Sequence, residues 1–116
     1  MTIYGVSQSS GVERRLQVEM GARGVVLIFV DHAGGKERER ILVPTDDLLG
    51  AVTDPPAGGT SIAGVRPPHG PNLRLDVEVR RNEVLLRVSD GTSEGVDAAV
   101  GLDDFQDALE GVITRG

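Results

Sequence analysis

The strongest constraint on this sequence is that its first half recurs in its second half. Shifted by 59 positions, residues 2–31 align without a gap with residues 61–90, and eleven positions keep the same residue type. Composition alone would give about two or three such matches, so the identities indicate an internal duplication. The matched residues of the first copy are Ile3, Gly5, Val6, Gly11, Arg15, Leu16, Val18, Glu19, Val25, Leu27 and Asp31.

The alignment continues after the second copy loses two residues in a turn. At an offset of 57, ILVPTDDLLGAV aligns with AAVGLDDFQDAL, and both segments carry a pair of aspartates. The repeat predicts a single domain over residues 1–116, built of a first unit at 2–53 and a second unit at 61–114. The linker between them, residues 54–60, contains the Pro/Gly-rich text DPPAGG, which is typical of a connection.

Each unit shows the same predicted order of elements. Short strands are expected at residues 2–7 and 61–66, followed by alternating strands at 13–20 and 73–80. Leu16, Val18 and Met20 share one face of the first alternating strand. Apolar strands follow at 25–30 and 84–88, and fourth strands at 39–43 and 96–100 come after the Gly-containing turns AGGK and DGTSEG. A helical period then closes each unit, and in the first unit Pro55 and Pro56 end it.

This order of elements predicts the fold class. We expect an α+β protein of two tandem ββββα repeats, packed against each other as an intramolecular pseudo-dimer. A four-stranded sheet with one helix leaves an apolar face partly uncovered, so each unit is expected to bury that face against the other.

Composition excludes several classes of function. The formal net charge is −6 and cysteine is absent, so the sequence predicts neither a disulfide framework nor a thiolate site. It has no apolar run of membrane-spanning length, and its start, MTIYGVSQSSG, lacks the basic and apolar regions of a secretory signal. We therefore expect a soluble, cytoplasmic protein without a membrane partner.

The arginines are the candidate binding residues. Arg15 and Arg74 occupy equivalent positions on the polar faces of the second strands, where two Arg-bearing sheets could follow a nucleic-acid backbone. The alternative is a solvated sheet face with cross-strand ion pairs, each of which contributes little to stability. The full candidate set is Arg15, Arg74, Arg23, Arg38, Arg40, Arg80 and Arg87.

No arrangement of residues points to catalysis, a metal or a cofactor. The aspartate pairs Asp46–Asp47 and Asp103–Asp104 stand at predicted helix starts, where carboxylates cap free N–H groups and complement the helix dipole. Gln106, three residues after Asp103, completes a possible capping box. The two histidines, at positions 32 and 69, lie in loop segments without metal-ligand spacing. We therefore expect a protein that is not an enzyme.

The repeated pattern resembles the PUR repeat of the purine-rich-element binding proteins, whose fold is also called Whirly-like. The resembling segments are RLQVEMGARGVVLIFVDHAGGKERERILVP and LRLDVEVRRNEVLLRVSDGTSEGVDAAVGLDDFQDALEGV. The resemblance implies two repeats that intertwine into one module and bind single-stranded DNA or RNA on their sheet surfaces. It also implies basic residues on the second strand and a stacking aromatic at the start of the third. A transcriptional regulator would fit this description.

The chain departs from that family at the positions that bind. Glu19 and Glu78 stand where the family has a basic residue, and Val25 and Val84 stand where it has an aromatic. Two hypotheses follow. The first is a PUR-like module that binds single-stranded nucleic acid through its sheet faces, and the alternative is an acidic protein-interaction or self-association module on the same fold.

Overall fold

The structure, a computed structural model, describes residues 1–91 and 95–115. Over these residues the chain forms eight strands and two helices. The predicted strand segments overlap the observed strands, and their ends differ by two residues or fewer. The elements are β1 (Thr2–Val6), β2 (Glu13–Gly21), β3 (Gly24–Asp31), β4 (Glu37–Val43), α1 (Thr45–Thr53), β5 (Thr60–Val65), β6 (Asn72–Arg80), β7 (Glu83–Ser89), β8 (Val96–Gly101) and α2 (Leu102–Arg115).

The predicted fold class, an α+β pseudo-dimer of two ββββα units, is wrong. All eight strands form one closed antiparallel barrel in chain order, because β4 pairs with β5 and β8 pairs with β1. Two separate four-stranded sheets would leave four strand edges with unpaired backbone groups. Closure into a barrel gives these edges partners and encloses the apolar face of every strand.

The pairing register repeats between the two halves of the barrel. In the first half Leu16 pairs with Phe29, and 59 positions later Leu75 pairs with Val88. The β1–β2 and β5–β6 ladders correspond in the same way, as in Ile3–Leu16 and Ile62–Leu75. The duplicated residues therefore hold equivalent places in one barrel.

The core fills the barrel interior and extends to the helices. The inward-facing residues of β2, β3, β6 and β7 are almost fully buried, and Phe105, Leu109 and Leu48 of the helices belong to the same apolar cluster. Both helices follow strands that end beside the β2–β3 and β6–β7 turns. The helices thus lie at one end of the barrel, and the β1–β2, β3–β4 and β5–β6 loops lie at the other. Met20, predicted on the apolar face of β2, is 41% exposed, since it lies beside the turn that ends the strand.

Gly5 and Gly64, which align with each other in the repeat, allow the barrel to close. We call the two strand pairings that close it, β8–β1 and β4–β5, the seams. A Cβ on Gly64 would lie 2.6 Å from the Leu42 carbonyl oxygen and 2.8 Å from Ile41 Cγ1, and Gly5 meets the Ala99 carbonyl in the same way. Any side chain at these positions would push the seam strands apart.

We predict that Gly64→Ala lowers the free energy of unfolding by about 1–3 kcal/mol, because the added methyl group overpacks the β4–β5 seam. Gly50→Ala is the matched control, since a Cβ there meets nothing within 4 Å. That change lies inside α1 and should raise the free energy of unfolding by about 0.5–1 kcal/mol. Urea unfolding of the three proteins measures both effects, and equal stability of Gly64→Ala and the unsubstituted chain would contradict the seam argument.

Candidate binding surfaces

The candidate arginines lie around the outside of the barrel instead of on one surface. Arg15 extends from β2 and Arg74 from β6, and these strands are four places apart in a ring of eight. The two equivalent arginines therefore face opposite sides of the molecule. Arg23 lies apart from both, in the turn between β2 and β3. A single ligand strand cannot contact Arg15 and Arg74 without passing around the barrel.

Carboxylates balance many of these arginine charges. Arg40 Nη2 lies 2.5 Å from Glu37 Oε1, and the hydrogen bond from Arg40 lowers the pKa of Glu37. Three further ion pairs have the same form, with the carboxylate on the same or an adjacent strand. They are Arg80–Glu78, Arg74–Asp76 at 3.4 Å and Arg38–Asp31 at 3.8 Å. Such exposed pairs contribute little to stability. Their carboxylates nevertheless neutralise the positive charge that would attract a phosphate.

Arg15 differs from these paired arginines. Among residues 1–91 and 95–115, neither Arg15 nor Arg23 has a carboxylate within ion-pair distance of its guanidinium. The Arg15 Nε is also buried without a hydrogen-bond partner, and its guanidinium lies against Gly35 in the β3–β4 loop. A buried donor without a hydrogen bond lowers the stability of the fold. The Arg15 guanidinium can therefore still donate a hydrogen bond to a ligand.

Arg15 borders an exposed apolar surface that the sequence did not predict. Tyr4 is 64% exposed and pairs with Arg15 across the β1–β2 ladder, and Val6 is 41% exposed. The His32 ring meets the Tyr4 ring edge to face, with centroids 5.7 Å apart. We call this surface the β1 corner, and it consists of Tyr4, Val6, Glu13, Arg15 and His32.

A shallow cavity of about 280 Å³ opens in the β1 corner. Tyr4, Val6, Glu13 and His32 contribute to its lining. The alternation of β1 could have indicated this surface, because Ile3 packs on the core and its neighbours in the strand then face outward. The corner offers an aromatic pair, the apolar side chain of Val6 and one charge of each sign.

A polar cluster fastens the β8–β1 seam at the loop end of the barrel. Asp97 Oδ1 accepts hydrogen bonds from the Ser7 and Ser9 hydroxyls, both at 2.7 Å, and Asp97 Oδ2 accepts one from the Gln8 amide at 2.8 Å. Arg14, 7% exposed, donates to the Asp97 carbonyl and to Asp31 Oδ1. The charged groups of this cluster are paired or hydrogen-bonded within it, so we assign the cluster a structural role.

An ion pair between Arg66 and Glu39 stabilises the β4–β5 seam. Arg66, at the start of the β5–β6 loop, donates two hydrogen bonds to the Glu39 carboxylate of β4, at 2.8 and 2.7 Å. Burial raises the pKa of Glu39, but the hydrogen bonds from Arg66 and from the Arg40 amide outweigh this effect, and the pKa lies below its ordinary value. In each seam a strand carboxylate therefore holds the adjoining loop.

The predicted helix-start residues have other partners than expected. Pro44 is the N-cap of α1, and no side chain caps that helix. Asp46 and Asp47 lie in its first turn, where they complement the helix dipole. Gln106 Nε2 donates to the Val52 carbonyl at the end of α1, and among the described residues no hydrogen bond joins the Gln106 side chain to Asp103, so the predicted capping box is not formed. Within the described parts of the chain, no group of three metal-binding side chains converges.

Comparisons with protein-family models, with curated proteins and with solved structures gave no match to this chain. The PUR resemblance, nucleic-acid binding and the cytoplasmic location thus remain predictions. Neither helix in the described ranges is long and apolar enough to cross a membrane.

We predict that acid weakens the β8–β1 seam through Asp97. Burial raises the pKa of its carboxyl, but hydrogen bonds from Ser7, Ser9 and the Gln8 amide outweigh burial and hold the pKa below its ordinary value. An unfolded Asp has a pKa of about 3.9, so the ionised carboxylate stabilises the fold above that pH, and this stabilisation is lost as pH falls through the lower folded pKa.

Asp97→Asn tests this prediction by urea unfolding between neutral pH and about pH 3. The variant should be about 1–2 kcal/mol less stable at neutral pH, because the amide cannot accept the same set of hydrogen bonds. Its stability should fall less on acidification than that of the unsubstituted chain. Asp107→Asn, at an exposed position of α2, should change stability by less than about 0.5 kcal/mol at neutral pH. Parallel pH curves for Asp97→Asn and the unsubstituted chain would refute this role of Asp97.

Proposed function

We propose that the protein is a non-enzymatic interaction module that self-associates through the β1 corner. One observation carries the proposal. Among the described residues, five large apolar side chains are exposed, and two of them, Tyr4 and Val6, lie two residues apart on the outer face of β1 and line the same cavity. Exposed apolar groups that cluster, with polar residues at their edge, are typical of interaction sites.

The rim of the β1 corner makes it self-complementary. Glu13 and Arg15 are two residues apart in β2, opposite Val6 and Tyr4 respectively. A two-fold axis through the corner would bring Arg15 of one copy toward Glu13 of the other, because a two-fold interface joins the same patch on both copies. Tyr and Arg are also residue types that supply much of the binding energy in protein interfaces.

Net charge separates this function from nucleic-acid binding. Each copy carries a formal charge of −6, so two copies repel at long range, and added salt screens that repulsion. Self-association should therefore strengthen as salt rises. Binding to nucleic acid weakens as salt rises, because it depends on the release of counterions.

We predict that the chain forms a concentration-dependent dimer that Tyr4→Ser/Val6→Ser weakens by at least about ten-fold, because the double variant removes the apolar centre of the interface. Sedimentation equilibrium at low and high salt measures the dimer constant. Met20→Ser is the matched control, since Met20 and Val6 are equally exposed, at 41%, and Met20 lies outside the corner. A monomer at millimolar concentration and high salt would contradict the proposal, as would equal weakening by Met20→Ser.

Single-stranded nucleic acid is the second candidate ligand for the β1 corner. The observation that favours it is the Tyr4–His32 ring pair beside Arg15, a cation without an ion pair. Base stacking on an aromatic ring contributes about 1–3 kcal/mol per base, and Arg15 could contact an adjacent phosphate. The ion pairs of four other candidate arginines, Arg38, Arg40, Arg74 and Arg80, limit the number of phosphates that the surface can neutralise.

Titration of a fluorescently labelled, purine-rich single strand tests this second candidate. If nucleic acid binds at the corner, Arg15→Ala should weaken binding by several-fold, whereas Arg74→Ala, on the opposite side of the barrel, should leave it unchanged. The dependence of log K on log salt should then have a shallow slope, about −0.7 for each phosphate neutralised. No binding at low salt, or equal losses in the two variants, would exclude the β1 corner as a nucleic-acid site.

A further inference from the structure

The β4–β5 seam leaves part of a strand edge without a partner. Across the described residues, β5 pairs with β4 at one position, Leu42–Val65. Along its other edge β5 pairs with β6 from Thr60 to Val65. Gly64 still lies against β4, so the open edge runs from Thr60 to Ala63. Unpaired backbone groups along a strand are a template for another strand.

A groove of about 400 Å³ lies along this open edge. One wall is the edge of β5 from Thr60 to Ala63, and the other is α1. Asp46, Asp47 and Gly50 form part of the helix wall, and Pro56 of the linker contributes as well. We call it the β5–α1 groove. Its helix wall bears negative charge and, at Gly50, no side chain.

At the other seam, a side chain of the chain itself lies beside the equivalent edge. Met1 aligns with Thr60 in the repeat, and its amino group and carbonyl pair with Val18 of β2, just as Thr60 pairs with Val77 of β6. The Met1 sulfur lies against Gly111 of α2. Thr60 has a short side chain, and α1 ends five residues sooner than α2 (nine against fourteen residues). The two halves of the barrel therefore differ in that the β5–α1 groove stays open.

We propose that the β5–α1 groove binds an extended basic peptide, which adds as a strand to the open edge of β5. Main-chain hydrogen bonds to the edge would supply affinity, and alternate side chains would face the helix wall, as in other cases of strand addition. Neighbouring strands lie about 4.7–4.9 Å apart, so the peptide backbone would lie at this distance outside the open edge of β5, with some of its side chains beside the first turns of α1.

The negative charge of the groove favours a basic peptide. Asp46 and Asp47 are exposed, and within the described residues neither has an ion pair. Lysine or arginine at alternate positions of the peptide would reach these carboxylates, while small side chains would fit beside Gly50. An acidic peptide would meet repulsion from the same pair and from the net charge of −6.

Fluorescence anisotropy with a labelled ten-residue peptide of alternating lysine and valine tests the proposal. The same peptide with methylated backbone amides at alternate residues cannot complete a strand ladder, and a glutamate–valine peptide reverses the charge. We expect the lysine–valine peptide to bind, the methylated peptide to bind at least about ten-fold more weakly, and the glutamate–valine peptide not to bind.

Repeat symmetry supplies a matched control for the groove. Asp46→Asn/Asp47→Asn should weaken binding of the lysine–valine peptide by about five- to ten-fold at low salt, because two exposed charges are removed. Asp103→Asn/Asp104→Asn, the equivalent pair on α2, should change it by less than about two-fold. Bound peptide should also slow amide hydrogen exchange in residues 60–63.

Three outcomes would overturn this proposal. Equal binding of the methylated peptide would rule out strand addition. Equal losses of peptide affinity in the two aspartate variants would indicate attraction to the overall negative charge. Failure of the lysine–valine peptide to bind at low salt would exclude the β5–α1 groove as a peptide-binding site. Tyr4→Ser/Val6→Ser should leave peptide binding unchanged, so the groove and the β1 corner can fail independently.

Discussion

Closure of the sheet at its two seams is the constraint on which the rest of the structure depends. The hairpins of each half are stabilised by long local ladders, but the β8–β1 and β4–β5 seams have few registered pairs. Glycine at positions 5 and 64 permits the close backbone approach at each seam. Without closure, the apolar interior that both halves line would open to water along two sides.

The two seams are fastened by different side chains although the backbone pattern repeats. Asp97 accepts hydrogen bonds from hydroxyl and amide groups of the β1–β2 loop, whereas Glu39 accepts two hydrogen bonds from Arg66. Duplication fixed the strand register, and later divergence could change the polar contacts outside the core without disturbing it. The same divergence left β5 with an open edge, whereas at the opposite seam the Met1 side chain lies against α2. A barrel with internal symmetry thereby offers two unlike surfaces.

Charge on the outer surface is arranged by strand alternation. Outward positions of β6 carry Arg74, Asp76, Glu78 and Arg80 in succession, and their charges pair along the strand. Pairing of this kind leaves little positive potential for a phosphate backbone. Arg15 escapes it because its neighbours across the ladders are Tyr4 and Val30. For this reason the β1 corner, and not the set of seven arginines, is the better candidate for a binding surface.

Local periodicity in the sequence determined the positions of the strands, the two helices and the apolar residues that line the core, because alternation and helical spacing are properties of neighbouring residues. It also placed Arg15 on an outward face. Only the tertiary structure decided which strand edges join, since the backbone groups along an edge carry no side-chain signature. That choice replaced two facing sheets with one barrel, set Arg15 and Arg74 on opposite sides, exposed Tyr4 beside His32, and left the edge of β5 open.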